Sequence, residues 1–115
     1  MQNNNKYSFP PSARLRKSRE FSIVGKMGCR IHTPHFILLK RESPNKKSRL
    51  GLTVSRKVGN AVCRNRIKRF LREYFRQNRH CFEKPIELSV IAKRNAGKVT
   101  INDIVQELGF LKKKG

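Results

Sequence analysis

Cys29, His32 and His35 stand three residues apart in the stretch CRIHTPH and could in principle ligate a metal. A zinc site needs such donors converging on one point. Along an extended strand a step of three alternates faces, so the trio converges only if Pro34 turns the chain. The spacing favours loop and surface histidines, and no metal ligands are assigned. Two-metal hydrolysis would need clustered carboxylates. The chain has one aspartate, Asp103, and six glutamates, at 20, 42, 73, 83, 87 and 107, scattered among cations. No glycine-rich phosphate loop occurs. No residue is expected to be catalytic.

Positive charge is what the sequence concentrates. Among 115 residues, 28 Lys+Arg against 7 Asp+Glu give a net charge of +21, with a pI of about 11.2. Self-repulsion of that size costs stability and points to a polyanionic partner. A membrane is disfavoured, because no apolar run approaches the roughly 18 residues that span one. The N-terminus MQNNNKYSFPPSA lacks an apolar signal core. The odd set Cys29, Cys63 and Cys81 reads as reduced thiols, which predicts a cytoplasmic protein.

The charge is densest in VSRKVGNAVCRNRIKRFLREYFRQNR, Val54 to Arg79. Asn60 suits an N-cap, and Cys63, Ile67, Phe70, Leu71, Tyr74 and Phe75 recur as one apolar stripe of a long helix to about Asn78. At about 100° per residue, Arg64, Lys68, Arg72, Arg76 and Arg79 sweep round the other side, joined at its edge by Arg69. Residues 60–79 hold seven Lys/Arg and one acid, Glu73. Solvated helix faces normally intersperse acids. This unmixed set points to an anionic ligand, and its preference for Arg suits bidentate forks onto phosphate. Arg66 lies nearer the flank of the stripe, where packing and phosphate contact are both open to it.

These side chains must be carried by a small scaffold. Residues 1–13 read as a flexible arm and 14–115 as a single domain. A short first helix runs from Ser18 to Gly28, with Phe21, Val24 and Met27 on one face. A short strand near Cys29–Ile31 and a longer one at His35–Arg41 follow. In RLGLTVS, Leu50, Leu52 and Val54 alternate with Gly51, Thr53 and Ser55, giving a strand whose second face could stay open. After the long helix come a last strand in IELSVIAK and a helix capped by Thr100, with Ile101, Ile104, Val105, Leu108 and Leu111 as its stripe. The order αβββαβα predicts an α+β domain with a sheet of about four strands.

The stretch RLGLTVSRKVGNAVCRNRIKR, Arg49–Arg69, resembles the bacterial ribonuclease P protein family, with Arg64-Asn65-Arg66 as its RNR motif. RLRKSREF at Arg14–Phe21 and VIAKRNA at Val90–Ala96 extend the likeness. The resemblance implies a left-handed strand–helix–strand crossover, with Gly59 adopting backbone angles other residues avoid. It also implies endonucleolytic removal of the precursor-tRNA 5′ leader, with catalysis by an RNA subunit and its Mg²⁺ ions. The partners would be that RNA, one per protein, and precursor tRNA.

Contacts to the catalytic RNA are then expected from Arg56, Lys57, Asn60, Arg64, Asn65, Arg66, Lys68, Arg69 and Arg72. A leader-binding cleft is expected from Phe21, Leu39, Thr53, Ser55, Lys57 and Lys93. Phe21 reads either as a stacking platform or as the anchor of a short helix, and Phe36 as core. The family often presents aromatics where this chain has Gly25 and Leu39, so the leader grip should lean on cations. The runner-up reading is a small basic ribosomal protein.

Overall fold

The run IELSVIA is buried at every position but half-buried Ile91, polar Glu87 and Ser89 included, as a strand covered on both faces must be. It forms an inner strand of the sheet. The computed structural model describes residues 14–15, 23–24, 26, 28–82 and 84–112. The expected arm, most of the first helix including Phe21, Gly25 and Met27, and the last three residues lie outside the described residues.

Four strands form one sheet: β1 (Cys29–His32), β2 (Phe36–Glu42), β3 (Arg49–Thr53) and β4 (Ile86–Ala92). Their order is β1-β2-β4-β3. β2 runs antiparallel to β1 and β4, while β3 and β4 are parallel. A parallel pair needs a crossover, and helix α1 (Ala61–Asn78) supplies it. Helix α2 (Ile101–Leu108) follows β4. The domain is therefore α+β with a four-stranded mixed sheet, as the residue pattern predicts.

Alternation sorts the sheet's two faces. Phe36, Leu38, Leu50, Leu88 and Val90 pack with Ile67, Leu71, Tyr74 and Phe75 of α1 and Ile104 and Leu108 of α2. The Tyr74 hydroxyl donates to the Leu108 carbonyl at 3.1 Å and ties the helices together. Burial, with a smaller contribution from Cys81, pushes its pKa up to about 12. Thr100 and Asp103 close a capping box on α2. The expected α2 stripe narrows to Ile104, Leu108 and Leu111; Ile101 and Val105 are exposed. Both sit on the shoulder of that stripe, where no described element covers them.

The second face departs from the expected open surface. Leu39 packs with Leu15 and Val24, and Ile91 lies against them. Leu15 N–H donates to the Leu50 carbonyl at 2.9 Å, so Arg14 and Leu15 lie beside β3. Gly51 is consequently buried, while Thr53 and Ser55 stay exposed. At the other end of this face Glu87, only 3% exposed, accepts from Arg41 Nε at 2.8 Å and more loosely from Arg49 Nη1 at 3.5 Å. A carboxylate this deep is tolerable because it is paired and hydrogen-bonded.

Two glycines separate tight packing from open space. A Cβ on Gly28 would sit 2.6 Å from the Val24 carbonyl oxygen and 2.8 Å from that of Lys40, whereas one on Gly109 meets nothing within 4 Å. Gly109 also has a φ of −60°. Gly28→Ala should therefore destabilise the domain by about 1–3 kcal/mol. Gly109→Ala should stabilise it by about 0.4–1 kcal/mol. Urea denaturation measures both, and shifts of the same sign would contradict this packing.

Candidate nucleic-acid interface

The candidate interface centres where β3 turns into α1. Val54 is buried, and Val58 N–H closes a turn onto the Ser55 carbonyl at 3.1 Å. This turn leaves Ser55, Arg56 and Lys57 exposed. Asn60 is extended, and its side chain accepts from the Cys63 N–H at 2.9 Å, satisfying one of the helix's first free donors.

Gly59 is needed for a different reason than its expected backbone freedom. Among the described residues no glycine has a positive φ. A Cβ on Gly59 would instead sit 2.9 Å from Cys63 Sγ. Gly97, in the 3-10 turn after β4, completes the contact. Its Cβ would meet the Val58 carbonyl at 2.8 Å. The Gly97 carbonyl accepts from Arg66 Nη2 at 2.6 Å and from Cys63 Sγ at 3.2 Å. The first turn of α1 is thus docked on a backbone segment over thirty residues away. Sequence reasoning missed Gly97, and an isolated glycine in NAGK carries no local signal of such a contact.

This docking divides the cations. Asn65, Arg69 and Arg72 are exposed on the outer side of α1, beside exposed Arg56, Lys57 and Asn60. Arg64 and Lys68 are half-buried on one flank, and Arg64 Nε donates to the Gly59 carbonyl at 3.1 Å. Arg66, on the other flank, holds Gly97 and lies over the Phe70 ring at 5.7 Å. Arg69 stands at 5.8 Å from the same ring. Arg76 is drawn to Glu73, so the expected sweep of bare cations is interrupted there. Partial loss of solvent, then the charge of Arg14, lower the Arg72 pKa; like charges are crowded here.

The second group gathers at the end of the sheet beside this turn. Strand register places His32, Ile37, Ile91 and Thr53 in one row across the second face. Thr53 and His32 are exposed, and Ile37 and Ile91 are half-buried. Leu39, at 7% exposure, supports the Leu15–Val24 cluster and is not an open platform. The Lys93 ammonium donates to the Thr33 carbonyl at 2.6 Å, and its N–H to the His35 carbonyl at 2.9 Å. Phe21 lies outside the described residues.

The β1–β2 turn that holds Lys93 is itself gripped by α2. Glu107 accepts from Thr33 Oγ1 at 2.6 Å and from His35 N–H at 2.9 Å, and pairs with His35 Nδ1 at 2.5 Å. Asn95 Nδ2 donates to the Pro34 carbonyl at 3.1 Å. His35 is thus engaged by a carboxylate. Cys29 and His32 point to opposite faces of β1, since their partners in β2 are Lys40 and Ile37. The described carboxylates are likewise dispersed: Glu87 with Arg41 and Arg49, Glu107 at the turn, Asp103 in its cap, Glu73 with Arg76, and Glu42 with Lys84. This donor set does not fit a Mg²⁺ site within the described part of the chain.

The family model for ribonuclease P matches residues 9–114. The chain belongs to the ribonuclease P protein family. It is 47% identical over 88 residues to the ribonuclease P protein component of Desulfatibacillum aliphaticivorans, covering 76% of this chain and 75% of that protein. Against the Syntrophus aciditrophicus protein component it is 41% identical over 106 residues, 92% and 89% of the two chains. The solved ribonuclease P protein of Staphylococcus aureus superposes with a TM-score of 0.77 at 31% identity, over 86% of this chain and 91% of that one. That of Thermotoga maritima gives 0.75 at 33%, over 89% and 98%. The chain is a ribonuclease P protein subunit, a partner of ribonuclease P RNA, and a small ribosomal protein is not favoured.

The Glu107 grip is testable by pH. Burial raises the Glu107 pKa, but hydrogen bonds from Thr33 and His35 outweigh it, and the net shift is downward from 4.5. A depressed carboxyl contributes stability above its unfolded value that is lost as pH falls through its folded value. Glu107→Gln should lower stability at neutral pH and flatten its decline below about pH 4.5. Parallel stability–pH curves for the two proteins, from urea melts, would contradict the role of this carboxylate.

Proposed function

We propose that the protein positions RNA, and that bond cleavage in the holoenzyme belongs to the RNA subunit. The observation that carries this reading is the outer side of α1 with its flanking turn. There Arg56, Lys57, Arg69 and Arg72 are exposed together with Asn60 and Asn65, and no acid lies in the first helical turn. Fixed cations facing a phosphate backbone displace its counterions and set register and orientation. Arg64, Arg66 and Lys68 contribute from the flanks, with Arg64 and Arg66 also fixing the turn. Mg²⁺, held mainly by the RNA, would supply activation of the attacking water.

The 5′ leader of precursor tRNA would lie against Thr53, Ser55, Lys57 and Lys93, with Phe21 as a stacking partner and Leu39 beneath as support. A basic groove with few aromatic platforms favours backbone contacts over base preference. The complex is proposed to hold one protein per RNA, in the cytoplasm, with the left-handed crossover that the family resemblance implies.

Arg69→Ala combined with Arg72→Ala should leave circular dichroism unchanged, since both residues lie off the buried stripe. The log–log salt slope of binding to the RNA subunit should fall by up to about 1 for each lost phosphate contact. An unchanged slope would return this face to solvent. Purified protein alone should leave precursor tRNA intact, while adding it to the RNA subunit should lower the Mg²⁺ concentration needed for cleavage. Cutting at the mature 5′ end by RNA-free protein would overturn the division of labour.

A further inference from the structure

A second basic surface lies away from the α1 interface. At the far end of the sheet, a groove of about 220 Å³ is lined by Lys40, Lys84, Phe110 and Lys112 around Ile86 and Leu111. Its construction is specific. The 3-10 turn Gly109–Leu111 sends Leu111 into the core, at 6% exposure, and leaves Phe110 50% exposed. Lys112 N–H closes that turn onto the Gly109 carbonyl at 3.1 Å, and Lys112 bridges to Phe82. The ring is therefore carried on a fixed segment. Lys40 Nζ stands 6.0 Å from the ring centroid. The acid in the groove's lining among the described residues, Glu42, is 3.8 Å from Lys84 Nζ, and both side chains are about two-thirds exposed. That pair is weak and screened, and an incoming phosphate can displace it.

An exposed aromatic ring among three lysines and one carboxylate matches the chemistry of an unpaired nucleotide: the base stacks on the ring and flanking phosphates meet the ammonium groups. We infer that this groove binds a single-stranded nucleotide of the RNA subunit, a second contact independent of α1. The inference rests on the chain being the RNA-positioning subunit. The RNA subunit is favoured over the leader as the source because Lys40 and Glu42 pair with Leu88 and Ile86 on the helix-bearing face of the sheet. The leader proposed above lies on the opposite face, by Thr53 and Ile91 at the other end of β3 and β4.

The chain has no tryptophan, so Phe110→Trp creates a single emitter in the groove. Titrated with the RNA subunit in the absence of substrate, this variant should bind and show quenched emission. Phe110→Leu, which keeps the apolar cover and removes the ring, should weaken RNA-subunit binding roughly five- to a hundredfold while the free protein melts as wild type does. Absence of quenching, with Phe110→Leu affinity within about twofold of wild type, would overturn the inference and leave Phe110 as a lid on the core. Quenching that appears only after precursor tRNA is added would overturn it in favour of the substrate as occupant. Failure of the wild-type chain to bind the RNA subunit would instead sink the functional reading itself.

Discussion

Like charges held at fixed spacing repel, and between residues 60 and 79 this chain sets seven cations against one acid. Everything else in the domain must hold that array in place. Ile67, Leu71, Tyr74 and Phe75 anchor α1 against the sheet. Gly97 docks its first turn through Arg66 and Cys63. The two contacts act on different axes: the apolar stripe fixes the helix's rotation, and the Gly97 carbonyl fixes its N-terminal end. Together they decide which cations face outward and which are tied down. In the RNR triplet, Arg64 and Arg66 are turned toward backbone carbonyls and Asn65 outward.

The few acids serve the same arrangement. Glu87 sits between Arg41 and Arg49 at the base of the second face. Glu107 holds the turn on which Lys93 rests. Asp103 starts the helix that carries Glu107. Each of these three carboxylates fixes a position, and on the outer side of α1 Glu73 opposes the cations near the far end, where it holds Arg76. Among the described residues these acids supply rigid points around the cations and do not gather into a cluster.

Much of this was legible from residue order. The cap at Asn60, the extent of α1 and the presence of the last strand in IELSVIAK follow from local periodicity and side-chain chemistry, and the family resemblance reaches the RNR triplet directly. Three features were not legible, for one shared reason. Gly97 beneath Cys63, Glu107 on Thr33 and His35, and Leu39 beneath Leu15 and Val24 are contacts between segments distant in the chain. Local patterns specify which face a side chain takes, not which remote segment will cover it. Gly59 illustrates the difference. Its presence suggested unusual backbone angles, yet its φ is not positive, and it is the missing Cβ, close to Cys63, that matters.

The central claim is that the array of cations is an internal burden relieved by RNA. Thermal melting across ionic strength tests it most directly, with the free protein and its complex with the RNA subunit followed from about 0.05 to 0.5 M salt, a range over which screening tightens several-fold. The account predicts that the free protein's Tm rises as salt screens self-repulsion. The complex should lose its extra stability over the same range as counterions compete for the phosphates. A free protein whose Tm is indifferent to salt, or a complex whose added stability survives high salt, would contradict it.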